Sequence, residues 1–174
     1  SQNIMNRKVS IVIPVFNEKG DLYSIIKRSI LRKQFNNLRG VSLSPVLFGL
    51  NLLSFDKESG IINLVEGCFD CMKMHAYSFT NTLALMGTSF SKERKEILLK
   101  YCSQVRLLLD PDSPGIKSSD EIAKILLPDI RIVYVKLPDK KDPDECSKRE
   151  IEEAFKNGSY YFPIRNMSFK KRGI

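Results

Sequence analysis

The chain has 174 residues, 43% of them hydrophobic, and 28 Lys and Arg against 20 Asp and Glu leave it a net charge of +8. That length suits one domain or two small ones, and that apolar content excludes a disordered chain. Apolar stretches are interrupted by Pro, Gly or charge within about ten residues, short of the ~20 needed to cross a bilayer, so no membrane partner is expected. Residues Ser1 to Lys8 lack the apolar core and cleavage site of a secretory signal, and without an initiator Met the chain reads as beginning within a longer protein. Cys68, Cys71, Cys102 and Cys146 are too sparse for a disulfide scaffold, which points to a reducing, cytoplasmic setting.

Charge divides the chain. Residues 1–60 carry 9 basic against 4 acidic side chains, whereas residues 61–174 carry 19 against 16, with Lys170, Lys171 and Arg172 in a basic tail over 161–174. In the first part, Val9–Phe16 and Leu22–Ile26 flank the turn cluster Asn17-Glu18-Lys19-Gly20-Asp21, which suits antiparallel strands in a small α+β lobe over 1–59. From residue 60 to 160 short apolar runs alternate with helical spacing. Strands are predicted at 61–65, 82–86, 105–109 and 130–135. Helices are predicted at 68–77, at 92–101 with Ser91 as N-cap, at 119–127 and at 147–156. This alternation predicts an α/β domain, a parallel sheet with helices on both faces.

Ligands of such sheets bind beyond the carboxyl ends of the strands. Acids stand at three of those ends: Glu66 with Asp70 after the first strand, Asp110 and Asp112 after the third, and Asp142 and Asp144 in the loop after the fourth. Convergent carboxylates repel one another unless a cation neutralises them, and Mg2+, a hard ion that prefers oxygen, is the natural one.

The order of motifs is specific. Val65-Glu66-Gly67-x-Phe69-Asp70, Leu85-Met86-Gly87-Thr88-Ser89, Asp110-Pro111-Asp112-x-x-Gly115 and Leu137-Pro138-Asp139-x-x-Asp142-Pro143-Asp144 together resemble the Toprim catalytic core of bacterial DnaG-type DNA primases. Val12 to Glu18 and Pro45 to Leu50 resemble that family's lobe before Toprim. Pro111 departs from the family pattern, which usually has Gly between the two Asp residues. The resemblance implies metal-dependent nucleotidyl transfer that makes short RNA primers on a single-stranded DNA template from ribonucleoside triphosphates. It implies Glu66, Asp110 and Asp112 as the catalytic acids and leading Mg2+ or Mn2+ ligands, with Asp70, Asp142 and Asp144 completing the cation sites. It also implies contact with a replicative helicase through regions outside this chain. A Toprim nuclease or nucleic-acid-binding module is the alternative.

Gly67, Gly87, Thr88 and Ser89 are candidates for phosphate or nucleotide binding, although capping alone also accounts for Thr and Ser before a helix. Between Tyr23 and Phe55 stand Lys27, Arg28, Arg32, Lys33 and Arg39 and no acid, a candidate template track with Arg28 foremost. The pair Cys68-x-x-Cys71 has no second pair, so no structural zinc is expected and the two read as small buried hydrophobes. His75 reads as packed rather than catalytic.

Overall fold

A computed structural model describes residues 9–30, 35–53, 60–87, 90–109, 113–138 and 141–161. The first turn is built as its composition predicts. Asn17 Oδ1 accepts the N–H groups of Lys19 and Asp21, both at 2.9 Å, and Gly20 adopts φ +84°. The turn joins β1 (Ser10–Phe16) to β2 (Leu22–Ser29), which pairs in turn with β3 (Phe35–Asn37) in an antiparallel sheet. Among the described residues the remainder of this lobe is irregular chain and a 3-10 turn, Leu50–Leu52.

The second sheet has the order β5-β4-β6-β7-β8: β4 (Ile61–Val65), β5 (Thr82–Ala84), β6 (Gln104–Leu108) and β7 (Arg131–Tyr134) are parallel, and β8 (Ser159–Tyr160) closes one edge antiparallel. Helices α1 (Cys68–Ala76), α2 (Lys92–Tyr101), α3 (Ser113–Leu126) and α4 (Lys148–Lys156) connect or follow the strands. The period of two along each strand divides the core. Ile62, Leu64, Val105, Leu107 and Ile132 face α2 and α3, meeting Ile97, Leu98, Ile122, Ala123 and Leu126. Val65, Leu108 and Val133 face the other way, against Cys71 and Met74 of α1 and Ile151 and Ala154 of α4. Helices thus cover both faces, as the apolar runs predict.

The largest departures from expectation are at α3 and β8. Helix α3 opens at Ser113, not near 119, because Pro114 falls in the first turn, where the N–H that proline lacks has no helical partner. Strand β8 was not predicted, since two residues without an apolar run carry no periodic signal. Among the described residues no helix is long and apolar enough to cross a membrane.

The lobe is fastened to the edge formed by β5. Phe48 and Ala84 exchange backbone hydrogen bonds of 2.9 and 3.0 Å. Ile13, Val15, Ile26, Leu43 and Val46 pack with Cys68 of α1. Arg94 of α2, 1% exposed, donates from Nε to Val46 O at 3.0 Å and from Nη2 to Leu43 O at 2.9 Å and to Leu85 O. Farther along α2, Glu18 from the hairpin turn accepts from Lys100 Nζ at 3.1 Å and from the Tyr101 hydroxyl at 2.6 Å.

Candidate active site

From β4 the chain steps sideways to β5, returns past β4 to β6 and continues to β7, so the winding reverses between β4 and β6. Val65 lies in register with Leu108 at the carboxyl ends of that pair. Glu66 follows β4 directly, half-buried, and its carbonyl accepts Met86 N–H at 2.8 Å. Asp110 and Asp112, which follow β6 in the chain, lie outside the described residues, as do Thr88, Ser89, Arg32, Lys33 and residues 162–174 of the basic tail.

Asp70 is the most constrained of the predicted acids. Its side chain turns inward, 7% exposed, with Oδ2 accepting Gly67 N–H at 2.9 Å and Oδ1 accepting Asp144 N–H at 3.2 Å. Gly67 is the N-cap of α1, and the bond from Asp70, at N3, to its N–H closes the first turn. A Cβ on Gly67 would stand 2.9 Å from Asp70 Oδ2, so the glycine makes room for the carboxylate. Burial pushes the Asp70 carboxyl up to about 6; the charges of Asp144 and Asp142 add to the rise, and the two N–H donors oppose it.

The other end of this bracket is the 3-10 turn Pro143–Glu145, with Asp142 at its N-cap and Asp144 exposed within it. It is anchored from behind. Lys141 Nζ lies 2.6 Å from Glu150 Oε1, while Glu150 Oε2 accepts Ser147 N–H at 2.8 Å and its hydroxyl at 2.7 Å, closing a capping box on α4. Lys141 first, then the Ser147 donors, hold the Glu150 carboxyl down to about 2. The Ser-x-x-Glu spacing at 147–150 was the signal that would have revealed this anchor.

The structure therefore brings Glu66, Gly67, Asp70, Asp142 and Asp144 to one edge at the reversal point. Their oxygen chemistry suits a hard divalent cation, but among the described residues no three such side chains form a group able to hold a metal ion. Gly87 adopts φ +140° after Met86 at +57°, turning the chain away from β5, and the cap of α2 is Ser91, whose hydroxyl accepts Arg94 N–H at 3.3 Å.

The basic side chains do not share one surface. Along β2, Ser24, Ile26 and Arg28 lie on the face turned to the core, and Lys27 lies on the opposite, exposed face. A strand lying on one face meets one of the two. Arg39 is exposed. Arg28 stands over the Phe35 ring at 4.4 Å and within 5.8 Å of the Phe69 ring. All four cysteines are free thiols; Cys71 Sγ donates to Thr82 O at 3.3 Å and His75 Nε2 lies 2.9 Å from the same carbonyl, which places both in the packing between α1 and β5.

A family model described as Toprim-like matches residues 63–147. The DNA primase of Clostridium acetobutylicum is 31% identical over 153 residues, covering 83% of this chain and 25% of that protein. Among solved structures, the zinc-binding and RNA polymerase domains of the Aquifex aeolicus primase superpose with a TM-score of 0.77 at 25% identity, covering 92% of this chain and 43% of theirs. A DnaG primase catalytic domain bound to ssDNA superposes with a TM-score of 0.74 at 19% identity, covering 87% and 52%. The chain spans a quarter of the length of the curated relative. Motif order, sheet topology and these likenesses agree: the chain belongs to the bacterial DnaG-type primase family, whose Toprim core it carries.

Proposed function

We propose that this chain supplies the catalytic edge of a primase, joining ribonucleotides into a short primer on single-stranded DNA. The observation that carries the reading is the Asp70 carboxylate, which binds the Glu66-Gly67 turn through Gly67 N–H and the acidic turn after β7 through Asp144 N–H. Two loops far apart in the chain are thereby held at one strand-end edge, the place where open parallel sheets bind ligands. Glu66, Asp110 and Asp112 are assigned as the catalytic acids and main cation ligands, with Asp142 and Asp144 beside them and Asp70 acting chiefly through the backbone it holds. The all-carboxylate donor set, and the rise that Asp144 and Asp142 impose on Asp70, are what a Mg2+ or Mn2+ ion would offset. Such an ion, when bound, lowers the pKa of an attacking hydroxyl and neutralises charge on the reacting phosphate.

Gly67 and the Gly87-Thr88-Ser89 turn are assigned to the nucleotide's phosphates, and Arg28 to the template backbone, with Lys27 and Arg39 as peripheral charges. The relative solved with ssDNA supports a single-stranded template. The test is Asp110→Asn, which removes charge and keeps volume. It should abolish ribonucleotide incorporation on a single-stranded template and leave the unfolding free energy within about 0.5 kcal/mol. Full incorporation by that variant refutes the assignment. Cleavage of the template without incorporation by the unmutated chain would instead identify a Toprim nuclease.

A further inference from the structure

Lys141 immediately precedes Asp142 in the turn assigned above to cation binding, with Asp144 two residues further on. A side-chain ammonium that close to two carboxylates can pair with them, and it then competes with a metal ion for the same oxygens. The structure turns it away. Lys141 Nζ lies 2.6 Å from Glu150 Oε1 in the first turn of α4. The other oxygen of Glu150 accepts Ser147 N–H at 2.8 Å and its hydroxyl at 2.7 Å, which fixes the carboxylate that Lys141 meets.

The shape of the turn has other supports. Asp144 N–H is bound by Asp70 at 3.2 Å, and Cys146 O accepts the hydroxyl of Tyr77, the C-cap of α1, at 3.2 Å. Within the turn, the N–H groups of Glu145 and Cys146 donate to Asp142 O and Pro143 O at 3.0 and 3.3 Å. These bonds hold the backbone from 142 to 146 without the Lys141 side chain. What the ion pair decides is where the ammonium stands.

We propose that Glu150 is a positioning residue for cation binding: it holds the Lys141 ammonium away from Asp142 and Asp144, so that Lys141 does not compete with a divalent ion for them. The proposal rests on the reading that these two acids belong to the cation sites, and it concerns two residues which that reading does not use.

The test is Mn2+ binding to the full chain, followed by the paramagnetic resonance signal of the free ion, with no activity measurement. Glu150→Gln keeps the capping box, which Gln at N3 also supplies, and removes the charge that holds Lys141. It should weaken Mn2+ binding about two- to fivefold, the range of an exposed ion pair, and adding Lys141→Met should restore it. Lys141→Met alone should change binding far less. An equal gain from Lys141→Met in both backgrounds is a general effect of charge and overturns the proposal. Glu153→Gln removes the same charge from the same helix, where its partner is Arg149 at 3.0 Å, and should leave Mn2+ binding unchanged. A loss there equal to that of Glu150→Gln also overturns it.

A second measurement needs no metal. In a crystal structure of the Glu150→Gln variant without divalent ions, Lys141 Nζ should stand within about 4 Å of a carboxylate oxygen of Asp142 or Asp144. An ammonium still beside position 150, or turned to solvent, refutes the competition. Asp144→Asn separates this proposal from the reading beneath it. If Asp144→Asn leaves Mn2+ binding intact, the acidic turn is no cation site and the reading fails. If Asp144→Asn weakens binding and Glu150→Gln does not, the reading stands and the role of Glu150 falls.

Discussion

Asp70 Oδ1 accepts the N–H of Asp144 across 74 positions of chain, at 3.2 Å. The other oxygen of the same carboxylate closes the first turn of α1 on Gly67. One buried side chain thus sets the spacing between the Glu66 turn and the Asp142–Asp144 turn. Removing it should loosen both acidic loops together.

A pH dependence follows. In the absence of divalent cations Asp70 titrates near 6, against 3.8 for an ordinary aspartate, because burial and the charges of Asp144 and Asp142 penalise its ionised form. Between those values the folded state binds the proton more tightly than the unfolded state. The group's contribution to stability therefore declines as pH rises from about 4 to 6, by at most about 3 kcal/mol. Urea unfolding at a series of pH values should show this decline, and Asp70→Asn should remove it. The same slope in both proteins would refute the account.

Gly67→Ala tests the packing at the bracket. The glycine has φ −101°, open to any residue, so the penalty is steric alone: the new methyl group meets Asp70 Oδ2. A loss of about 1–3 kcal/mol is expected on its own, and a much smaller one in an Asp70→Ala background. Additive losses in the double variant would show that the two residues do not press on each other.

Arg94 should prove the main polar link between the lobe and the sheet. It is buried, and burial draws its guanidinium down to about 10 while it bonds the carbonyls of Leu43, Val46 and Leu85. Arg94→Met leaves those carbonyls without their donor and should lower stability by about 2–4 kcal/mol, with Arg94→Lys recovering part. A change below about 0.5 kcal/mol on chemical denaturation would place the link elsewhere.

The thiols should be inert in the folded protein. Burial pushes Cys71 and Cys102 up to about 12 and raises Cys68 and Cys146 as well, so thiolate is scarce at neutral pH. Iodoacetamide at pH 8 should label the four cysteines together, and only on unfolding. Rapid labelling of Cys71 in the native state would contradict its placement.

Much of the domain was legible in the sequence because strands buried on both faces need continuous apolar runs and helices need caps. The runs at 61–65, 82–86, 105–109 and 130–135 became β4 to β7, and Ser91 caps α2. The acids at the strand ends and their motif order were legible for the same reason, since a residue's place after a strand is a property of the chain alone.

What the tertiary structure decided is which of those residues face one another. Whether Asp70 points to solvent or inward depends on a backbone N–H that arrives from residue 144, and whether Lys27 or Arg28 lies on the inner side of β2 depends on which face of that strand the core occupies. The role of Arg94 likewise comes from carbonyls at 43, 46 and 85, gathered by the docking of the lobe. Local patterning sets secondary structure because its forces act over a few residues. Burial, the rise at Asp70 and the contact of Arg28 with the Phe69 ring require groups distant in the chain to meet, and only the packed fold brings them together.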